Sequence, residues 1–524
     1  MTRLPNLPVG KSSFERIRQD GDVYVDKTRY IFEMVDQGQP YFLSRPRRFG
    51  KSLTVSTLKC LFEGKRERFE GLWIAENADW EWKKHPVISL DFNQISHDTP
   101  QNTEAGLKSA LQHSGKTNGI DLKQPLLKEQ FQELILALYK KTGMPVVVLI
   151  DEYDKPLIDF LGKGEEAMNT AKANRDLLKH FLGVLKGGDV EPVLRLIFIT
   201  GVSKFSRVSI FSELNNLEDL TMAESSAEML GYTQSEVETN FRPYVAALAE
   251  RSGFSEEETL ATLAAHYNGY RFSKKDVRVY NPFSVLSALK QKEFKNYWFE
   301  TGTPTFLVNL LRKQDYPLPE IEKLELDEQV FSTFDLDHLK PEALLFQTGY
   351  ITIADYRDDL YVFDYPNREV RLAFSKHLLF DLVPAHGHEQ SLFKKLQKHL
   401  KKDDLPAFIE TMFAIFAAIP YTLETKRDEA YFHTVFYLAV SASGTDARSE
   451  VLTCDGRIDL VVEFADKVFI LEFKCNQSAD AALAQIREKD YAAPYRGTGK
   501  GIFLVGINFD TEARNISEWK GERI

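Results

Sequence analysis

Cysteine is nearly absent: Cys60, Cys454 and Cys475 are the three among 524 residues. No two are spaced C-x-x-C, so neither a disulfide framework nor a cysteine zinc site is expected. The opening residues Met1 to Asn6 lack the apolar core of a secretion signal, and no run reaches the roughly 18 apolar residues of a membrane span. A reducing cytoplasm and no membrane association are therefore expected. Excess positive charge is missing too, with 66 Lys and Arg against 77 Asp and Glu and a net charge of −11. Any nucleic-acid site must then be a local patch and not a polycationic surface. Low-complexity linkers and internal repeats are absent. With 43% hydrophobic and 12% aromatic residues the chain should be globular throughout, and its length, at about 150 residues per domain, suggests three or four units.

One further absence falls inside a motif. The apolar run Pro40 to Leu43 stops at Ser44-Arg-Pro-Arg-Arg-Phe-Gly-Lys-Ser-Leu53, and a helix-like stretch to Phe62 follows. Strand, loop and helix N-terminus in that order make a phosphate-binding loop, because unpaired backbone N–H groups and the helix dipole converge there. Lys51 would meet the β- and γ-phosphates and Ser52 a Mg²⁺ ion. The pattern G-x-x-x-x-G-K-[ST] is nevertheless incomplete, since Arg45 stands where its first glycine belongs. A bare Gly-Lys-Ser also occurs at ordinary loop-to-helix turns, so the surroundings must decide.

They supply a second signal. Residues 13–37 read as two short helices with a turn at Asp20-Gly-Asp22. Pro86 to Phe92 is a short strand, and 101–142 hold two helices with Leu107, Leu111, Phe131, Leu134, Ile135 and Leu138 at helical spacing. Pro145-Val-Val-Val-Leu-Ile-Asp-Glu152 is a continuous β-branched run of the kind buried on both sheet faces. A helix around 166–186 leads to the strand Leu194 to Gly201. Four apolar strands alternating with helices predict a parallel α/β sheet, with ligands beyond the strands' carboxyl ends. There Asp151 can hold Mg²⁺ through water, Glu152 can orient the attacking water, and Thr200 or Ser203 can sense the γ-phosphate. Arg207, just beyond, is a candidate for stabilising transferring charge, in cis or across a subunit interface, or else a surface arginine.

Ser44 to Leu53, Leu149-Ile-Asp-Glu-Tyr-Asp-Lys-Pro-Leu157 and Thr200 to Ser212 closely resemble the bacterial AAA-ATPase-like family, over about residues 5–300. In that family an arginine at the first-glycine position looks usual. The resemblance implies ATP and Mg²⁺, with Arg47, Arg48, Phe49, Gly50, Lys51, Ser52, Leu53, Asp151, Ser203 and Arg207 around the nucleotide and Glu152 as the catalytic residue that orients the attacking water. It permits a homo-oligomer and a monomer equally.

Residues 228–310, with turn dipeptides Asn268-Gly269 and Asn281-Pro282, read as a helical lid whose aromatics form its core. Residues 330–372 switch to short strands after a helix at 342–348, suggesting a winged-helix-like module. Lys394, Lys395, Lys398, Lys401 and Lys402 recur at helical spacing, as on a solvated helix face or a phosphate-backbone contact. Expected boundaries are 1–225 for the P-loop domain, 226–325 for the lid, 326–385 for the winged-helix-like module and 386–524 for a C-terminal domain.

That last domain carries the second constellation. Two apolar strands, 457–464 and 468–474, are joined by a tight turn at 465–467. Antiparallel pairing places residue 459 opposite 472, and opposed side chains share a face, so Asp459 and Glu472 converge, with Lys474 beside them by the period of two. Two carboxylates and a lysine can bind Mg²⁺ and activate water, although alternating charge is also normal on an exposed hairpin. With Glu450 before the first strand and Gln485 on a helix after the second, the arrangement looks like the PD-(D/E)xK nuclease superfamily over about residues 425–510. Ile458-Asp459 replaces its Pro-Asp. The resemblance implies Asp459 and Glu472 as metal ligands, Glu450 as a further candidate ligand, Lys474 orienting the nucleophilic water, and Gln485 and Tyr491 in support. The expectation is an ATPase controlling a Mg²⁺-dependent nuclease on DNA, for which defence against foreign DNA is a fitting role. An assembly or signalling ATPase with an inactive nuclease-like domain and an RNA nuclease are the alternatives.

Overall fold

In the computed structural model the described residues are 4–38, 40–204, 211, 214, 216–298, 307, 310–311, 316, 321–322, 324–332, 336, 338–382, 389–419, 428–453 and 456–524. The chain divides into two compact units, Met1–Lys313 with Glu325–Val362, and Gln314–Leu324 with Phe363–Ile524. Among the described residues no helix is long and apolar enough to cross a membrane.

The first unit is built on a five-stranded sheet of order β2-β3-β4-β1-β5, from β1 (Pro40–Ser44), β2 (Val87–Asp91), β3 (Val146–Asp151), β4 (Leu194–Gly201) and β5 (Glu218–Asp219). Every pairing is parallel. All six residues of β3 are buried, as its β-branched run requires at the centre of a two-faced sheet. The expected four strands are present. The fifth escaped because it has two residues, both acidic, and no apolar pattern to read. Register sets the site: Ser44 lies beside Gly201 and Asp91 beside Asp151, so the carboxyl ends of β1, β3 and β4 open on one edge.

Helix Phe14–Asp20 starts at Ser13, whose hydroxyl accepts from Arg16, and stops at Gly21. Helix Thr28–Gln37 is held by Asp26, which takes the Thr28 N–H at 2.8 Å. Helices Gln234–Ser252 and Glu256–Tyr267 each begin with a capping box, Thr233 with Glu236 and Ser255 with Glu258. Leu7 and Val25 from the N-terminal stretch join Val237, Phe241, Leu248, Leu263 and Tyr280 in one apolar cluster. The N-terminal segment thus shares a core with the helices at 234–267. Helix Pro341–Thr348 precedes β7 (Thr352–Arg357) and β8 (Leu360–Asp364), which with β6 (Leu324–Leu326) form a small sheet of order β6-β8-β7.

The second unit holds a mixed sheet of order β13-β12-β11-β10-β9, from β9 (Asp446–Leu452), β10 (Arg457–Glu463), β11 (Lys467–Cys475), β12 (Gly501–Asp510) and β13 (Asn515–Arg523). β11 and β12 are parallel, and helix Ala479–Glu488 supplies the crossover that parallel neighbours need. One face, with Val468, Ile470, Ile502 and Leu504, packs on Leu483, Ile486 and Tyr491. On the other face Phe473 and Phe509 meet Phe432 and Phe436 of helix Glu429–Ala442. The sequence located β10 and β11. Glu450, placed ahead of β10 by the sequence, lies on a strand of its own, β9, a polar edge strand without the apolar alternation that would reveal it.

Candidate functional site

After β1 the chain turns through a loop in which Arg48 and Gly50 take φ of 69° and 97°, and helix Lys51–Phe62 begins at once. Left-handed residues in such a turn bring backbone N–H groups into an anion-binding hollow, and at Gly50 a side chain would be strained. The Lys51 ammonium lies on the carbonyls of Arg45 (3.0 Å) and Pro46 (3.2 Å), and 3.8 Å from Glu152 Oε1. Phe49 is buried edge-on against Tyr270 and Phe272, 4.8 and 5.4 Å between ring centres. Trp298 donates to the Arg47 carbonyl at 3.1 Å, and the Arg48 guanidinium covers the Phe283 ring. Side chains of residues 270–298 therefore brace the loop.

At the end of β3 the Asp151 carboxyl is 5% exposed. Burial pushes its pKa up to about 6 against a hydrogen bond with Ser52, and its Oδ1 is buried with no partner. Glu152 takes a left-handed φ of 53°. Of the two sensor candidates, Thr200 spends its hydroxyl on the Leu43 carbonyl at 2.6 Å, tying β4 to β1. Ser203 keeps a buried, unpartnered hydroxyl. Arg207 lies outside the described residues.

Ser203 is held by a residue to which the sequence assigned no role. Asp154, fully buried, accepts N–H bonds from Val202 at 3.0 Å and Ser203 at 2.6 Å, and Tyr153 donates to the Ser203 carbonyl at 2.9 Å. A Cβ on Gly201 would stand 2.8 Å from Asp154 Cγ, so the approach needs glycine there. Burial, then the charge of Glu152, pushes the Asp154 pKa up to about 7. Its folded pKa thus exceeds its unfolded value of about 3.9. The stability it contributes is complete below about pH 4 and declines as pH rises toward 7. Melting temperature followed from pH 4 to 8 should therefore fall for the wild type relative to Asp154→Asn. Parallel curves would show that Asp154 ionises without penalty. Asp154→Ala, which strands two buried N–H groups, should cost about 3 kcal/mol.

A cavity of about 470 Å³ opens beside the loop, within the usual span of small-molecule sites, roughly 300–1,000 Å³. Arg47, Arg48, Phe49, Gly50, Lys51, Ser52, Leu53 and Glu152 all line it, while Asp151 and Ser203 do not. Further walls come from the N-terminal stretch, with Gly10, Tyr24 and Val25, from Asn93 and Lys155, and from Leu230, Tyr232 and Phe283. Lys27 joins the first and last of these walls, donating to Glu236 at 2.6 Å and to the Glu228 carbonyl at 2.8 Å.

In the second unit β10 and β11 pair with Leu460 opposite Leu471 and Val461 opposite Ile470, the register that sets Asp459 against Glu472. Asp459 Oδ2 accepts the Phe473 N–H at 2.7 Å, and Lys474 Nζ donates to Glu472 Oε1 at 3.0 Å. Glu472 Oε2 is buried without a partner. Burial first, and then the Asp459 charge, raise the Glu472 pKa to about 7 against Lys474; burial raises Asp459 too. Gln485 Nε2 is 3.4 Å from the Tyr491 hydroxyl, so these two positions meet each other.

Glu450 behaves differently. On β9 its neighbours pair with Ile458 and Leu460, a register that brings it level with Asp459, yet its φ of 53° breaks the strand's alternation. Its carboxylate is ion-paired with Arg457, and its Oε1 lies 3.2 Å from His433 Nδ1. His433, 6% exposed, leaves Nε2 buried and unpartnered. Nothing in the spacing of the sequence marks His433, which sits in an apolar helix pattern. Among the described residues no group of three or more His, Cys, Asp or Glu side chains is arranged to hold a metal.

A family model described as predicted AAA-ATPase matches residues 8–211, and one described as PD-(D/E)XK nuclease superfamily matches residues 427–519. A protein of Azotobacter chroococcum mcd 1, named as an uncharacterized protein in the vnfD 5' region, is 37% identical over 522 residues, 97% of each chain.

Proposed function

The chain belongs to the predicted AAA-ATPase family, with a C-terminal domain of the PD-(D/E)XK nuclease superfamily, and from that premise we propose that it binds and hydrolyses ATP at the loop of Lys51 and thereby controls a metal-dependent nuclease acting on DNA. The observation that carries this reading is the pairing of Asp459 with Glu472, whose Oε2 is buried with no protein partner. A carboxylate oxygen withdrawn from water without a donor suits a cation.

The donor set fits a hard divalent ion that keeps several waters, since among the described residues no third His, Cys, Asp or Glu side chain joins the two facing carboxylates. Asp459 and Glu472 would hold it, with Glu450 left to orient Arg457 and His433. When bound, such an ion neutralises phosphate charge and lowers the pKa of water. Lys474, fixed by Glu472 and by the Phe473 carbonyl, keeps its ammonium beside the carboxylates to orient a water or meet a phosphate oxygen. In the first unit Ser52 and Asp151 suit Mg²⁺, Asp151 having one buried oxygen unpartnered. Lys51 suits the phosphates and Glu152 the attacking water.

The engagement of Glu450 favours a second reading, in which the nuclease-like domain binds nucleic acid without cutting it. Incubating the full chain with plasmid DNA and with RNA, under Mg²⁺ or Mn²⁺ and with or without ATP, separates the readings. ATP-responsive DNA cleavage is expected. No cleavage in any condition would favour the binding role, and cleavage of RNA alone would reassign the substrate.

A further inference from the structure

Arg45 occupies the place where the general phosphate-loop motif has glycine, and its side chain turns inward. It is 1% exposed, a burial rarely tolerated by arginine without a paired carboxylate. Its guanidinium donates to the carbonyls of Ser44 (3.0 Å), Thr221 (2.6 Å) and Ser226 (3.2 Å), and lies 4.3 Å from the centre of the Phe272 ring. None of these partners carries negative charge. Among the described residues no carboxylate forms an ion pair with it; Asp219, whose field reaches it, is paired with Lys204. Burial draws its pKa down to about 9, still well above neutrality. A full positive charge therefore sits under the phosphate loop, fastened to carbonyl dipoles and an aromatic face. The backbone it belongs to is the one that receives the Lys51 ammonium, at the Arg45 carbonyl.

We propose that Arg45 is a positioning residue for the nucleotide's polyphosphate: a buried cation that touches no ligand atom and finds its counter-charge in the phosphate chain bound above it. A buried charge acts over several ångströms because little solvent screens it. This rests on reading the loop as an ATP site. It also gives a physical reason why a large residue stands where the motif has glycine, since the side chain leaves the loop instead of crowding it.

The test compares binding of AMP, ADP and ATP to the full chain and to Arg45→Met and Arg45→Lys at pH 7, with melting temperature as the control for folding. Arg45→Met should weaken ATP at least tenfold, with a loss that grows from AMP through ADP to ATP, because a fixed charge acts in proportion to ligand charge. Arg45→Lys should bring ATP affinity back to within about threefold of wild type, about 0.65 kcal/mol at RT of 0.59 kcal/mol. Should the Met variant fail to fold, Arg45→Gln, neutral but able to donate to the same carbonyls, carries the same expectation. Unchanged ATP affinity in the neutral variant, equal losses for all three nucleotides, or no rescue by lysine would each overturn the inference. Wild-type protein that binds none of the three would overturn the nucleotide reading itself, a distinguishable failure.

Discussion

Asp459→Ala is expected to lower metal-dependent DNA cleavage by about a thousandfold, roughly 4 kcal/mol of transition-state stabilisation at 1.36 kcal/mol per decade, with ATP hydrolysis unchanged. The size of the effect follows from where the residue sits. Asp459 and Glu472 face each other across β10 and β11, and an ion held by one carboxylate in place of two is both weaker and misplaced. Asp459→Asn should fail nearly as badly, because the amide can still accept from Phe473 but brings no charge. The same pair sets the pH dependence. With Glu472 raised to about 7 by burial and by Asp459, a protonated fraction persists near neutrality, so the cleavage rate should rise between pH 6 and 8 and then level. Bound metal would lower that midpoint, more so as its concentration increases. Cleavage by Asp459→Ala at the wild-type rate would remove these carboxylates from the chemistry.

Lys51→Ala should abolish ATP hydrolysis, by about two decades or more, and leave ATP-independent cleavage intact. The Lys51 ammonium is bonded to two loop carbonyls and lies near Glu152. Those contacts are weak enough to be exchanged for phosphate oxygens, with which a lysine makes charge-assisted bonds about twice as strong as neutral ones. Its loss removes the ammonium bonded to the Arg45 and Pro46 carbonyls and leaves the fold with little to repair. The variant separates the two halves of the proposal: hydrolysis retained in Lys51→Ala would place the ATP site elsewhere, whereas cleavage lost together with hydrolysis would show that the nuclease needs the nucleotide cycle.

Much of both sites was legible because the relevant rules are local. A loop followed by Gly-Lys-Ser at a helix start, and two acids closing a buried strand, need only a few residues of context. The opposition of Asp459 and Glu472 could be counted from the turn at 465–467, since side chains in a strand alternate strictly. Where local signal was weak, reading stopped: β5 has two residues, β9 is a polar edge strand, and Glu450 left its strand's alternation through one left-handed φ.

By itself, then, the sequence determined β1 to β4 with the helices between them, the candidate phosphate loop, the acids ending β3 and the carboxylate pair of the β10–β11 hairpin, all set by chemistry within a few residues. Only the tertiary structure decided what surrounds them. It turned Arg45 inward onto Thr221 and Ser226, 176 and 181 residues away, tied Lys27 to Glu236 across 209 residues, gave Ser203 to Asp154 and set His433 against Glu450. The physical reason is that a buried polar group must find a partner wherever packing leaves one, and that choice depends on the whole fold's cost of desolvation, which no short stretch of sequence records.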